Sequence, residues 1–309
     1  MARVLVTGAA GVLGSRLVAR LIERGHSVRG LVLPADPQAQ RLAALGCEVW
    51  QGDIRDARSL RGACAEIDCV FHLAAIIISH DPEVFTRVNL EGTRNVVAEA
   101  DAAGVPHLIY VSSASVTYPK LTAYAQSKLD AERIVAARRG QARGFSIVRP
   151  TLVYDEHGGQ EVRMFLDYLR RFPVVPFIGR GTALKRPVWS EDIVDGLMRL
   201  ADKPPPFGKT YNFSGGEAIS MHDFARLLLL HHRAERPFVH LPVWLCRGIA
   251  QLLARVMAEP PLTSSAIAGV VNDANLDPSE AMRDLGYQPI GVRAGFARLS
   301  QPSQPEQTS

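Results

Sequence analysis

Tyr124-Ala125-Gln126-Ser127-Lys128 is a spacing that can do acid–base chemistry. Residues four apart share a helical face, and an ammonium beside a phenol lowers its pKa from a reference of about 10 toward neutrality. Tyr124 is then a usable proton donor or acceptor; the alternative is a solvated surface pair. Ser112-Ser113 lie just upstream at the end of an apolar run, His107 to Ser112, that reads as a strand. Ser113 therefore stands at the edge where open α/β sheets bind ligands. At the start of the chain, Thr7-Gly8-Ala9-Ala10-Gly11-Val12-Leu13-Gly14 links a strand to a helix. In that context Gly8 permits a tight turn, Gly11 lets backbone approach a pyrophosphate and Gly14 lets helix and strand pack closely. The helix N-terminus supplies N–H groups to the phosphates.

Other groups carry two readings each. Asp53, where the third strand ends in Gly52-Asp53-Ile54, either accepts from an adenine amino group or caps a helix over 57–65. The second strand ends in Val32-Leu33-Pro34, and Asp36 is the first acid after it, so no carboxylate stands where a ribose 2′-hydroxyl is usually held. With Arg29 and Arg41 nearby in sequence, the balance between NAD and NADP leans slightly to NADP. Ile76-Ile77-Ile78-Ser79-His80 forms an apolar loop after the fourth strand, with His80 either orienting a substrate or simply solvated. Phe238, Val243, Trp244, Leu245, Ile249, Leu252 and Leu253 space as one apolar helical face, expected in a core or over a pocket for a hydrophobic molecule. Arg186 either binds a diphosphate or pairs with Glu191 or Asp192.

The elements that must position these groups are legible in the periodicity. Strands are expected at Arg3 to Thr7, Ser27 to Leu33, Glu48 to Gln51, Cys69 to Leu73, His107 to Ser112, Phe145 to Arg149 and Thr210 to Phe213. Helices are expected over Leu13 to Arg24, Glu83 to Ala103 and Thr122 to Arg139. Short β-branched runs alternating with longer helical stretches give an α/β fold, a doubly wound parallel sheet of the Rossmann type with a smaller C-terminal substrate lobe. We place the dinucleotide-binding domain at 1–150 and a mixed lobe at 151–299 that shares 190–214 with the sheet. Residues 300–309 read as a flexible tail.

Composition narrows the classes. The chain has 309 residues, is 47% hydrophobic and carries net charge +4 with no block of like charge, which gives nucleic-acid binding no support. Cys47, Cys64, Cys69 and Cys246 show no metal-type spacing, so neither a metal nor a disulfide framework is expected and a reducing cytoplasm fits. No run reaches the ~18 apolar residues of a membrane span. The long helices 83–103 and 122–139 could form a homodimer bundle.

In chain order, TGAAGVLG, GDIRD, His72-Leu73-Ala74-Ala75, Asn89-Leu90-Glu91-Gly92-Thr93, Tyr110-Val111-Ser112-Ser113, YAQSK, Val148-Arg149-Pro150 and Arg186-Pro187-Val188-Trp189-Ser190-Glu191-Asp192 resemble the extended or atypical short-chain dehydrogenase/reductases, the NAD-dependent epimerase/dehydratase-like group. The resemblance implies that Tyr124 transfers the proton, Lys128 holds the ribose and tunes Tyr124, and Ser113 hydrogen-bonds the reacting oxygen. It implies that Asn89 anchors a water beside Lys128. Cofactor contacts are implied for Gly8, Ala10, Gly11, Val12, Leu13 and Gly14, for Asp53 and Ile54, for Leu73, Ala74 and Ala75, and for Pro150. Ile77, His80, Ser113 and Arg186 become candidates for the substrate. The chain departs from sugar-nucleotide members in the short Ser113-to-Tyr124 interval and in Thr117, where they carry tyrosine. The expectation is an NAD(P)(H)-dependent oxidoreductase interconverting a carbonyl and a secondary alcohol on a hydrophobic, steroid-, flavonoid- or lipid-like molecule. The alternatives are a nucleotide-sugar epimerase or dehydratase with tightly held NAD, and a non-catalytic dinucleotide-binding subunit.

Overall fold

Buried β-branched and aromatic runs make the strands of this computed structural model, which describes residues 1–138, 144–156, 159–202, 208–257 and 259–299. The described residues form two compact units: one of Met1–Pro150, Glu191–Phe213 and Asp277–Tyr287, the other of the remainder.

In the first unit the elements run β1 (Arg3–Thr7), α1 (Val12–Glu23), β2 (Ser27–Val32), α2 (Ala39–Ala44), β3 (Glu48–Gln51), β4 (Cys69–His72), α3 (Pro82–Phe85), α4 (Gly92–Ala102), β5 (His107–Val111), α5 (Ala123–Ala136), β6 (Gly144–Pro150) and β7 (Lys209–Phe213). All seven strands pair in parallel, in the order β7-β6-β5-β4-β1-β2-β3. This is the doubly wound arrangement, in which every strand's carboxyl end opens onto the same edge. Val70, Leu108, Phe145 and Ile147 pack against Val96, Val97 and Ala100 of α4 and Ala131 and Val135 of α5. Leu17, Val18 and Leu21 of α1 are buried, as are Ile193, Val194 and Leu197 of the helix Ser190–Asp202. Those two helices are joined by Arg16 and Arg20 to Glu191, and by Arg20 to Asp195.

Three helical expectations are corrected. Residues 57–65 form successive turns rather than a helix, because Gly62 at φ +83° and Glu66 at φ +58° interrupt it. The helix expected from 83 to 103 is α3, then a π-helical stretch Thr86–Glu91, then α4. α5 ends at Ala136, and Arg139 lies outside the described residues, as do residues 300–309.

The second unit is helix-rich around a core of Tyr154, Leu166, Phe177, Phe224 and Phe296. Val175–Ile178 pairs in parallel with Phe238–Leu241, which leads into the helix Val243–Val256. That helix turns its small residues Cys246 and Ala250 inward, while Trp244, Leu245, Ile249 and Leu252 are exposed, so the expected apolar face is not core. Among the described residues no helix is long and apolar enough to cross a membrane.

Candidate active site

The loop from β1 to α1 is held by close backbone packing. Gly8 has φ +70°, and a Cβ on it would sit 2.9 Å from the Ala74 amide; a Cβ on Gly14 would sit 2.1 Å from the Gly8 carbonyl. Gly11 is different: exposed, it would meet only the Gly8 carbonyl, at 3.2 Å. It is the N-cap of α1, no side chain caps that terminus, and no acid lies in the first turn. The first-turn N–H groups and the positive end of the helix dipole are therefore left without a side-chain partner beside Ala10, Val12 and Leu13, an arrangement that suits an anion.

Ser113 and the Lys128 ammonium stand at the carboxyl end of β5, with Tyr124 one turn before Lys128 on α5. Ser113 follows the strand and caps the short 3₁₀ helix Ala114–Thr117, accepting from the Ser115 amide at 3.2 Å with the Ser115 hydroxyl at 3.0 Å. Thr122 caps α5, so Tyr124 falls in its first turn, its ring edge-on to Phe85 at 5.8 Å. Lys128, 2% exposed, donates to the Val111 carbonyl at 2.7 Å and lies 4.3 Å from the centre of the Tyr110 ring. Burial pushes its ammonium down to about 7, opposed by Glu132, whose carboxylate is forked by Arg149.

A buried network that the sequence did not disclose ties these pieces together. Thr93 Oγ1 donates to the Asn89 carbonyl at 2.5 Å, so His72 Nε2 donates to Thr93 Oγ1 at 2.9 Å. His72 Nδ1 then accepts from Thr7 Oγ1 at 2.7 Å, and Thr7 Oγ1 accepts from the Ala74 amide at 3.2 Å. Burial, with Lys128 second, holds the His72 imidazole down to about 3, the neutral form this chain of donors requires. Asn89 side-chain oxygen accepts from the Ile76 amide at 2.8 Å, and its nitrogen donates to the Ile76 carbonyl at 3.0 Å and to Ser127 at 3.1 Å. Asn89 thus fixes the Leu73–Ile76 segment to α5, one residue from Lys128. Polar residues at the carboxyl ends of β1 and β4 were the available signal for Thr7 and His72.

The remaining candidates disperse. The Asp53 carboxyl is held below its usual range by the Arg55 guanidinium and accepts the Arg55 amide at 2.9 Å. Ile54 is buried, its carbonyl accepts from Asn95 at 2.8 Å, and its side chain occupies the space that a Cβ on Gly92 would need. Pro150 ends β6 in register with Phe213. Ile77 and His80 are exposed on the loop. Arg29 is buried, bonded to Glu48 and to the carbonyls of Gly62, Ala63 and Ala65, and so is no ligand for a 2′-phosphate. In the second unit Arg186 pairs with neither acid expected of it: it donates to Asn275 at 2.7 Å and to the Gly215 carbonyl at 3.3 Å, while Glu191 belongs to Arg16 and Arg20. No group of three His, Cys, Asp or Glu among the described residues could hold a metal. All four cysteines are free and buried, with the Cys64 and Cys69 thiols pushed up to about 12 by burial.

Comparison with known proteins agrees with this architecture. The profile of the NAD dependent epimerase/dehydratase family matches residues 4–213. The chain belongs to that family. Among its relatives, the 3 beta-hydroxysteroid dehydrogenase/Delta 5→4-isomerase of Mycobacterium tuberculosis is 31% identical over 94% of this chain and 87% of its own. A 4-hydroxy-2-methyl-3-oxo-4-farnesyl-3,4-dihydroquinoline-1-oxide ketoreductase of Stigmatella aurantiaca is 27% identical over 92% of this chain and 91% of its own. The crystal structure of gox2253 superposes with a TM-score of 0.77 at 28% identity, covering 96% of each chain. The family is NAD(P)-dependent, and its matched span contains the glycine loop from β1 to α1 together with Ser113, Tyr124 and Lys128.

Proposed function

We propose that this family member is an oxidoreductase that interconverts a carbonyl and a secondary alcohol on a hydrophobic small molecule. The observation that carries the reading is the full-length similarity to a steroid dehydrogenase and a farnesylated-quinoline ketoreductase, two relatives named for apolar substrates. The exposed, apolar Ile77 on a loop pinned by Asn89 is consistent with it.

A nicotinamide dinucleotide fits the first unit. Gly11 leaves room that a Cβ would fill, and the uncapped N-terminus of α1, with no acid in its first turn, suits a pyrophosphate. Gly8, Gly11 and Gly14 with Ala10, Val12 and Leu13 would hold it, joined by Ala74, Ala75, Lys128 and Pro150. When bound, that group supplies or accepts hydride at its nicotinamide ring. We favour NADP(H) because β2 ends without an acid, Arg41 on α2 being the nearby cation; a tenfold preference for NAD(H) would reverse this.

The chain's own residues handle the proton. In reduction the Tyr124 hydroxyl gives its proton to the substrate oxygen as that oxygen gains charge, and the Ser113 hydroxyl donates a hydrogen bond to the same atom. The Lys128 ammonium stabilises the tyrosinate left behind. Oxidation runs these transfers in reverse.

A nucleotide-sugar epimerase is the second reading, favoured by the family alone. Against it, Arg186 is already engaged by Asn275 and Gly215. Nicotinamide absorbance, followed against a panel of hydrophobic ketones and nucleotide sugars, separates the two. Net redox turnover on ketones supports the proposal, and conversion of a nucleotide sugar without net redox change overturns it. Free, buried cysteines suit a reducing cytoplasm, and a homodimer through α4 and α5 is part of the same proposal, checked by light scattering.

A further inference from the structure

We infer that the helix Val243–Val256 is a docking surface for an anionic lipid bilayer. The inference goes beyond the proposed reaction and does not rest on it. Within the helix, Leu245, Ile249, Leu252 and Val256 recur at intervals of four, three and four, which places them in one stripe. In an ordinary amphipathic helix that stripe packs inward. Here Cys246 and Ala250 are buried instead, and the large residues face solvent: Ile249 is 40% exposed, Leu252 61% and Val256 71%, with Trp244 at 74% on the stripe's flank. Val239 before the helix and Met257 after it are exposed as well.

Charge selects the occupant. From Pro237 to Met257 the chain carries Arg247, Arg255 and His240 and no acid. Both arginines are exposed, and Arg255 projects one turn beyond Gln251 on the side of the stripe that holds Trp244. Arg255, flanking the stripe on Trp244's side, can lay its stem along it and reach a phosphate headgroup, and an indole prefers the headgroup boundary; Arg247 falls on the far side of the helix. At 14 residues the helix is roughly 21 Å long, too short to cross a hydrocarbon core of about 30 Å, so it would lie flat in the interface.

The test uses the full chain and sedimentation with large unilamellar vesicles, either pure phosphatidylcholine or phosphatidylcholine with 30% phosphatidylserine. We expect binding to the anionic vesicles at least tenfold above the neutral ones, a blue shift of Trp244 emission, and weakening as salt rises. The variant L245S/I249S/L252S replaces only exposed side chains and should keep its melting temperature while losing binding. R255Q should lose about fivefold on anionic vesicles alone, while R247Q, on the far side of the helix, should bind as the parent does. Equal sedimentation of the triple-serine variant and the parent, no binding to either vesicle, or equal binding to both would each overturn the inference. So would a concentration-dependent dimer that the triple-serine variant abolishes while the parent ignores vesicles; that result would assign the face to a second copy.

Discussion

At the residue scale, the proposed proton transfer and cofactor binding are separable by substitution. Tyr124→Phe keeps the ring against Phe85 and removes only the hydroxyl, so turnover should fall by at least about 100-fold. Cofactor-dependent thermal stabilisation should persist; a retained rate would remove Tyr124 from the acid–base role. Lys128→Met should lower both turnover and cofactor affinity, since on the proposed reading the ammonium, held at the end of β5 by the Val111 carbonyl, serves both. Gly11→Val tests the cradle. It should leave the protein folded, because no packed atom lies closer to the added Cβ than the Gly8 carbonyl, yet abolish the thermal shift on adding NAD(H) or NADP(H). These residues were legible in sequence because their signals are local, a glycine spacing and a helical i,i+4 pair. His72 was not, since its role exists only when Thr7 and Thr93 are brought to either side of its ring.

At the element scale, the π-helical stretch Thr86–Glu91 is where pattern reading failed with consequence. A continuous helix would carry Asn89 as an ordinary polar position; the irregular stretch buries it and turns its amide onto both backbone groups of Ile76. Asn89→Ala would leave the Ile76 amide and carbonyl and Ser127 without this partner, and should cost about 2–4 kcal/mol, read as the loss in chemical denaturation. Buried neutral histidines predict the pH response. His72 and His107 are held down to about 3 and about 4 from an ordinary 6.5, in both cases mainly by burial. The unfolded chain therefore takes up protons below about 6.5 while the folded chain does not. Stability is full above that pH and falls as pH drops toward 4, by up to about 1.4 kcal/mol per unit for each histidine. Chemical denaturation at pH 7.5 and 4.5 measures this, and a His72→Gln variant should show a flatter profile.

At the scale of the whole molecule, the substrate question becomes one of surface chemistry. If the occupant is apolar, kcat/KM should rise as a ketone series lengthens, by up to roughly fourfold per buried methylene, until the site is full. Free UDP should not compete with substrate at micromolar levels. Arg186→Ala should leave catalysis with ketones intact and show itself as a lower melting temperature, because it removes the bonds to Asn275 and Gly215. Micromolar UDP inhibition that disappears in Arg186→Ala would instead restore the nucleotide-sugar reading.

Sequence alone determined the features whose causes are short in range. The seven parallel strands were readable to within a residue or so at their ends, most plainly where burial on both faces demands continuous apolar runs, as in β1, β4 and β5. The glycine turn from β1 to α1 was readable because backbone contact tolerates only glycine at Gly8 and Gly14. Tertiary structure decided what depends on partners distant in the chain. Arg29 became a buried bond to Glu48 and to the carbonyls of 62–65 rather than a cofactor ligand. Asn89 met Ile76. The helix Val243–Val256 turned its small face inward, because periodicity states that a helix has an apolar side but not which side the rest of the chain will cover.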